Sequence, residues 1–499
     1  MKHISLEAPL KAEEGWLQFV QNILEDDSGF FQDDVQIVGA RAPGRLDVLG
    51  GVSDYSGGTV LEMPIGHGAY AAWQWRSDRM IHVKSVLIDK EEHDPEVEVP
   101  LDSLLNLAGE LHPVDQVRRN LTHNPRARWA SYVVGCFYIM FAAYSKVSQG
   151  KADARLGERG ANVLLYSEVP QGAGVSSSAA IEVAVMLALS EAAGIHPSDL
   201  TLASWCQKVE NQVVGAPCGI MDQVTSALGR ENALLTLRCQ PHDLLGNQHI
   251  PPGWKLLGID SGVKHSVDGS PYVHARVAAF MGLKIIQLES GGKLLHNYLA
   301  RMSPSEFAVY KDLIPEKITG AEYTRLYGRL PDTVTHVEMQ DSYTPRAAAE
   351  YPILENERVQ SFVALMHLAT LRYEERREWN ETSAHSIEPE PGLLIEAGEL
   401  MYAAHDAYSK RLDLGSPETD ILVNLIKERG VERGLFGARI SGGGSGGVAA
   451  VLCRANSQDT DSALQEICSR YLSMTGITPN AIVGSSPGGV MFGARIIRS

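Results

Sequence analysis

Two fixed charges, Arg45 and Asp54, stand nine residues apart in the stretch ARAPGRLDVLGGVSDYSGG, residues 40–58, with the bare tripeptide Gly50-Gly51-Val52 between them. A second acidic pair, Glu210 and Asp222, flanks a Gly-Ala-Pro-Cys-Gly turn in KVENQVVGAPCGIMDQVTS. Mg²⁺ favours one or two carboxylates together with phosphate oxygens, and a positioned carboxylate can also take a proton. Alone, the pair would read as two ordinary surface acids. The segment VPQGAGVSSSAAIEVAV changes that, because Gly172, Ala173, Gly174, Val175, Ser176, Ser177 and Ser178 run from a tight turn into the start of a helix. Glycines leave backbone N–H groups uncovered, and a helix N-terminus favours an anion, so this is a phosphate cradle. The plainer alternative is a serine-capped helix after a flexible turn. The pattern is neither GxxxxGK[ST] nor a GxGxxG following a βαβ strand. A further glycine cluster in ARISGGGSGGVAAVL runs directly into an apolar strand, which marks a close backbone approach rather than a linker.

The elements that must position these residues alternate without a strict βαβ rhythm, so the fold class is α+β. VQIVGA and GTVLEMPI read as strands flanking the opening turn, and YAAWQW and IHVKSVLI continue the β pattern. ARWASYVVGCFYIMFAAYSKV is a helix by length. GANVLLYSEVP leads as a strand into the cradle, and SSAAIEVAVMLALSEAAG is a helix closed by Gly194. TLASWCQKVENQVVG is a helix capped by Thr201. After the strands NALLTLRC and WKLLGIDSG comes a mixed region, residues 270–391, rich in proline and charge. Two helices, GLLIEAGELMYAAHDAYSKRL and ETDILVNLIKERG, then precede the late glycine cluster and a last strand, GGVMFGARI.

A chain of 499 residues exceeds one ordinary core and implies two domains. With 44% hydrophobic and 21% charged residues it is a folded protein, and a net charge of −17 argues against nucleic acid or an anionic membrane as partner. The six cysteines lack metal-ligand spacing and read as free thiols. No apolar leader is visible, and the run YVVGCFYIMFAAY is short of the ~20 residues a membrane span needs. The expected location is the cytoplasm.

In this order, the glycine clusters and the acidic turn resemble the GHMP kinase superfamily. APGRLDVLGGVSDYSGG, RWASYVVG, GAPCGIMDQ, SGVKHSVDGSPYVHAR and AGELMYAAHDAYS resemble its sugar-kinase branch, which holds galactokinases and L-arabinokinases. AAEYPILENERV and GAPCGIMDQVTSALG look closest to the L-arabinokinases. The resemblance implies an N-terminal ribosomal-protein-S5-like domain, residues 1–245, and a C-terminal ferredoxin-like domain, residues 246–499, with an insert around 280–350. It implies ATP as phosphoryl donor, Mg²⁺, and a small-molecule sugar as acceptor. By position, Asp222 matches the catalytic base and Arg45 the cation beside it, while Ser178 and Glu210 match the Mg²⁺ ligands. The segment Gly172 to Ser178 matches the phosphate loop, and Trp129 an aromatic near the adenine. Asp54, Tyr55, Cys218, Gly219 and Tyr272 match sugar contacts, and Gly442 to Gly447 the motif that shapes the site from the C-terminal side.

One departure bears on the sugar. Galactokinases of this branch carry a glutamate and a histidine that reach the 6-hydroxymethyl end of galactose, where this chain has Gly51 and Val52. L-Arabinopyranose shares the ring stereochemistry of galactose but lacks the hydroxymethyl group. Losing two polar groups suits a pentose, because an unpartnered buried polar group costs about 1–3 kcal/mol. The resemblance thus implies a sugar 1-kinase acting on L-arabinose. Galactokinase is the alternative, and a non-catalytic sugar and ATP sensor is the alternative of another class.

Overall fold

The computed structural model describes residues 5–87, 89–106, 109–147, 155–264, 271–291, 297–379 and 390–498. Residues 265–270, the middle of the SGVKHSVDGSPYVHAR motif, lie outside the described residues.

Strands β1 (Ile37–Leu49), β2 (Thr59–Trp75), β3 (Met80–Ser85), β4 (Glu96–Pro100), β5 (Ala161–Ser167), β6 (Ala233–Arg238) and β7 (Asp243–His249) come first in the chain. They are followed by β8 (Trp254–Asp260), β9 (Ile318–Thr319), β10 (Ser342–Tyr343), β11 (Leu435–Ile440), β12 (Val448–Arg454), β13 (Asn480–Ile482) and β14 (Arg495–Arg498). The large sheet has the order β14-β1-β2-β5-β3-β4, with β6 and β7 extending from β2. A second, antiparallel sheet has the order β11-β12-β8-β13, and β9 pairs with β10 alone. Mostly antiparallel pairing, with helices interspersed along the chain, is that of an α+β fold. The expected boundary at residue 245 falls inside β7, and β14 brings the chain back to the first sheet.

β1 is longer than VQIVGA suggested. It continues through Pro43 to Leu49, with all thirteen residues buried. Its register against β2 shifts between Pro43 and Arg45 and again between Asp47 and Leu49. Proline cannot donate to a ladder but is tolerated at such an irregularity, so APGR bends the strand without ending it. The strand therefore carries Arg45 and Asp47 into the interior, and the turn begins only after Leu49. The Ser177–Ala193 helix packs across β1 and β2. It is apolar on nearly every face, as a helix enclosed on all sides must be.

Three other expectations are corrected. The helix expected to begin at Thr201 starts at Asp199, after Ser198, and passes into a π-helical segment, Val209–Val214, that carries Glu210. In GGVMFGARI, Gly489–Phe492 is a helical turn and only Arg495–Arg498 is strand, because the glycines let the chain close a turn before pairing. The mixed region contains two long helices, Pro271–Glu289 and Pro345–Trp379, packed on each other. Pro352 lies inside the second, where a proline ordinarily signals a helix end. Their shared core takes in Val52 and Tyr55 from the opening turn. Among the described residues, no helix is long and apolar enough to cross a membrane. All six cysteines are free.

Candidate active site

One cleft gathers Arg45, Val52, Asp54, Glu210, Asp222 and Tyr272 along its wall. Gly172, Gly174 and Ser176 to Ser178 line it too, and Cys218, Gly219, Gly442 and Gly443 complete it. Five sequence-distant segments thus converge. Ala173, Val175, Tyr55 and Gly51 lie just behind the surface: the Val175 carbonyl accepts the Arg45 N–H at 3.0 Å, and Tyr55 stacks edge-on to Tyr272 at 6.0 Å between centroids.

Arg45 is the electrostatic centre. Its Nε and Nη2 lie 2.9 and 2.8 Å from Asp222 Oδ1, and Nη1 donates to the Gly174 carbonyl at 2.7 Å. Burial disfavours the guanidinium charge, but Asp222, Glu62 and Asp47 outweigh it and hold Arg45 firmly protonated. Asp222 opens the Met221–Leu228 helix and remains 19% exposed, so it can meet a ligand while Arg45 holds it. Glu62 on β2 also lies 3.2 Å from Arg45 Nε, yet that N–H points at Asp222 and neither Glu62 oxygen accepts a hydrogen bond. Burial first, and then the Asp47 charge, push the Glu62 carboxyl well above the usual range.

Behind Arg45 lies a second ion pair, fully enclosed: Arg439 Nη1 reaches Asp47 Oδ1 at 2.8 Å, both side chains at 0% exposure. Asp47 also accepts the N–H groups of Gly51 at 3.2 Å and Gly442 at 3.3 Å. This fixes the late glycine cluster against the opening strand. A Cβ on Gly442 would stand 2.6 Å from the Gly174 carbonyl oxygen, and one on Gly447 2.5 Å from that of Ala173. Backbone meets backbone here. That contact is the close approach the cluster's composition demanded.

The cradle is not a serine-capped helix. Ser176 takes the N-cap position with φ 57°, and its hydroxyl makes no capping bond. That hydroxyl is buried without a protein partner, beside first-turn amides that also lack a side-chain acceptor. Such a site takes an anion. Next to it, Ser178 Oγ donates to Glu210 Oε1 at 3.0 Å, and Gln223 Nε2 donates to Glu210 Oε2 at 2.7 Å and Glu182 Oε2 at 3.2 Å. Burial, then the Asp222 charge, raise the Glu210 carboxyl to about 7. Among the described residues no cluster of three metal-ligating side chains occurs. A carboxylate and a hydroxyl at the phosphate cradle nevertheless fit Mg²⁺, which completes its shell with water and phosphate oxygens.

A second cleft continues from Ser177 and Ser178 and is walled by Trp129, Tyr132, Leu165 and Ile181. The Trp129 indole N–H donates to the Asp94 carbonyl at 2.9 Å, which anchors the ring in the cleft wall. His93 Nδ1 and Ser167 Oγ, in the same wall, are buried without a protein partner. An apolar slot with two unclaimed polar atoms fits a flat heteroaromatic base.

The tripeptide is not a bare floor. Gly51 is outside the cleft, and a Cβ on it would overlap the Asp47 carboxylate. A glutamate at this position would collide with the buried ion pair before reaching any ligand. Val52 does line the cleft, at 1% exposure and φ 63°. For a β-branched residue that conformation is an outlier, costing about 1–2 kcal/mol. Strain of this kind persists only where the surroundings impose it.

Residues 131–230 match the GHMP kinases N terminal domain, residues 390–473 match GHMP kinases C terminal, and residues 29–74 match the galactokinase galactose-binding signature. The chain belongs to the GHMP kinase superfamily. GHMP kinases use ATP as phosphoryl donor together with Mg²⁺. Within the superfamily the chain falls in the galactokinase and L-arabinokinase branch. It is 35% identical over 524 residues to L-arabinokinase of Arabidopsis thaliana, covering 94% of this chain and 48% of that protein. The chain therefore spans about half the length of that relative. Galactokinase of Chloroflexus aggregans is 28% identical over 453 residues, which cover 90% of this chain and 92% of that protein. The crystal structure of Lactococcus lactis galactokinase complexed with galactose superposes with a TM-score of 0.69 at 20% identity, over 97% of this chain and 100% of that one, and shares the fold.

Several residues that brace or line these two clefts are given no role by the sequence motifs: Glu62, Asp47, Arg439, Gln223, His93 and Ser167. Glu62 offered the one available signal, as a lone acid inside the apolar strand GTVLEMPI.

Proposed function

We propose that the protein transfers the γ-phosphoryl group of ATP to the anomeric hydroxyl of a galactose-configured sugar, and that the sugar is L-arabinose. The products are L-arabinose 1-phosphate and ADP. Asp222 accepts the hydroxyl proton as the sugar oxygen bonds to phosphorus and the bond to the bridging oxygen of ADP breaks. Arg45 pairs with Asp222 and stabilises the negative charge that develops beside it. The amides and Ser176 hydroxyl of the cradle hold the phosphates, and Trp129, His93 and Ser167 hold the base. Mg²⁺, held by Glu210 and Ser178, would neutralise charge on the phosphate oxygens. Asp54, Tyr272, Cys218 and Gly219 contact the sugar.

The sugar choice rests on Val52. Its apolar side chain lines the cleft where galactokinases of the branch carry a polar group, and so offers nothing to a 6-hydroxyl. The likeness to an L-arabinokinase supports the same choice. The galactose-binding signature over residues 29–74 favours a second reading, D-galactose. Initial rates of ADP formation on L-arabinose, D-galactose, D-galacturonate and L-fucose decide between them. L-Arabinose is expected to give a kcat/KM about 10²-fold above D-galactose. A preference for galactose would remove the pentose reading, and no ADP with any sugar would leave a sensor.

Asp54 makes the reaction sensitive to pH. Burial, then the neighbouring Asp222 charge, raise its carboxyl to about 6, and its Oδ1 is buried without a protein partner. Above that pH the ionised group accepts hydrogen bonds from sugar hydroxyls; below it one oxygen is protonated. The kcat/KM for sugar is expected to fall as pH drops through about 6. Asp54→Asn should lower the plateau and flatten that limb. A limb that survives in the asparagine variant belongs to another group.

A further inference from the structure

The Pro345–Trp379 helix reaches the opening turn from the far half of the chain and holds it at three points. Glu355, at 0% exposure, accepts the Gly50 N–H on Oε1 at 3.1 Å, while its Oε2 pairs with Arg358 at 2.7 Å. One helical turn earlier, the hydroxyl of buried Tyr351 donates to the Gly51 carbonyl at 3.1 Å. Asn356 Oδ1 accepts the Thr59 N–H at 3.0 Å, at the other end of the same loop. Tyr351 also packs edge-on against Tyr408, at 6.0 Å between centroids, and the Tyr408 hydroxyl donates to the Gly442 carbonyl. Neither Tyr351 nor Glu355 lines the cleft. Between their two bonds and the cleft stands Val52, in a backbone conformation that valine does not choose by itself. Gly50 and Gly51 are both buried, so losing either helix contact leaves a backbone group without a partner.

We propose that Tyr351 and Glu355 are positioning residues that fix the Gly50–Val52 turn, and through the left-handed Val52 set which sugar the cleft accepts. The proposal rests on the reading of this cleft as the sugar site. The AAEYPILENERV segment then has a function: it is the outer support of the sugar pocket, delivered from a helix that touches no ligand.

The test measures kcat/KM for L-arabinose and D-galactose, KM for ATP and thermal stability. Tyr351→Phe and Glu355→Leu are each expected to narrow the ratio between the two sugars about tenfold and to raise the KM of the preferred one. The KM for ATP should stay within about twofold, because the cradle belongs to other segments. Glu355→Gln keeps an acceptor for the Gly50 N–H and should restore the wild-type ratio. In a Val52→Gly background Tyr351→Phe should have no further effect on the ratio, since glycine adopts positive φ without strain. An unchanged ratio with a lowered melting temperature would reduce the helix to a structural prop. An equal effect in the Val52→Gly background would do the same. Should Glu355→Leu fail to fold, Tyr351→Phe, which removes a single oxygen, carries the measurement. The ratio is readable whichever sugar the wild type prefers, so a failed pentose reading does not decide this test.

Discussion

Replacing Asp222 with asparagine is expected to lower kcat by about 10²–10⁴-fold while leaving the KM for ATP nearly unchanged. Asparagine keeps the volume and can still accept a hydrogen bond from Arg45, which lies 2.8 Å from Oδ1 in the native protein. What it cannot do is take a proton. Gly172, Gly174 and Ser176 to Ser178 line the cradle, and Trp129, His93 and Ser167 line the proposed base slot; none of them pairs directly with Asp222. Steady-state rates on the preferred sugar, with calorimetric titration of ATP, separate the two effects. A variant that retains most of its turnover would make Asp222 structural, a counter-ion for Arg45 and no more.

Arg439→Met is expected to destabilise the fold by about 3–5 kcal/mol, the range for removing one partner of a buried ion pair. Exposed pairs such as Arg470–Glu428 contribute little, since water screens both charges. Asp47 has no such recourse: it is at 0% exposure and keeps only the N–H groups of Gly51 and Gly442 once Arg439 is gone. Denaturant unfolding of the variant measures the loss. The double variant Asp47→Asn/Arg439→Met should recover part of it, because no unpaired charge then remains inside. A single variant within about 1 kcal/mol of wild type would contradict the pair's role as the joint between β1 and the late glycine cluster.

The parts of this site that were legible in the sequence are those whose chemistry is local. The glycines at 172 and 174, the three serines and the acids around GAPCG each announce a turn or a helix start within a few residues. Asp47 and Arg439 are 392 residues apart, and nothing in either neighbourhood points to the other. Tyr351, 300 residues from Gly51, is equally silent. Gly51 is ambiguous in the sequence for a related reason. A glycine shows that something is close by but not on which side, and here it is Asp47 rather than the ligand. Pro43-Gly44 and Pro352 mimicked the ends of a strand and a helix because the tertiary structure absorbs a proline at a register shift or within a packed helix.

β1 has β2 on one side and β14 on the other. The second pairing joins Ile37, Val38 and Gly39 to residues of Arg495–Arg498, across almost the whole intervening polypeptide. During synthesis, the sheet that carries Arg45 is therefore completed only after Arg495–Arg498 has left the ribosome. Until then the outer edge of β1 is an unpaired strand, open to association with another nascent chain. Folding of the large sheet cannot finish ahead of the translation of β14.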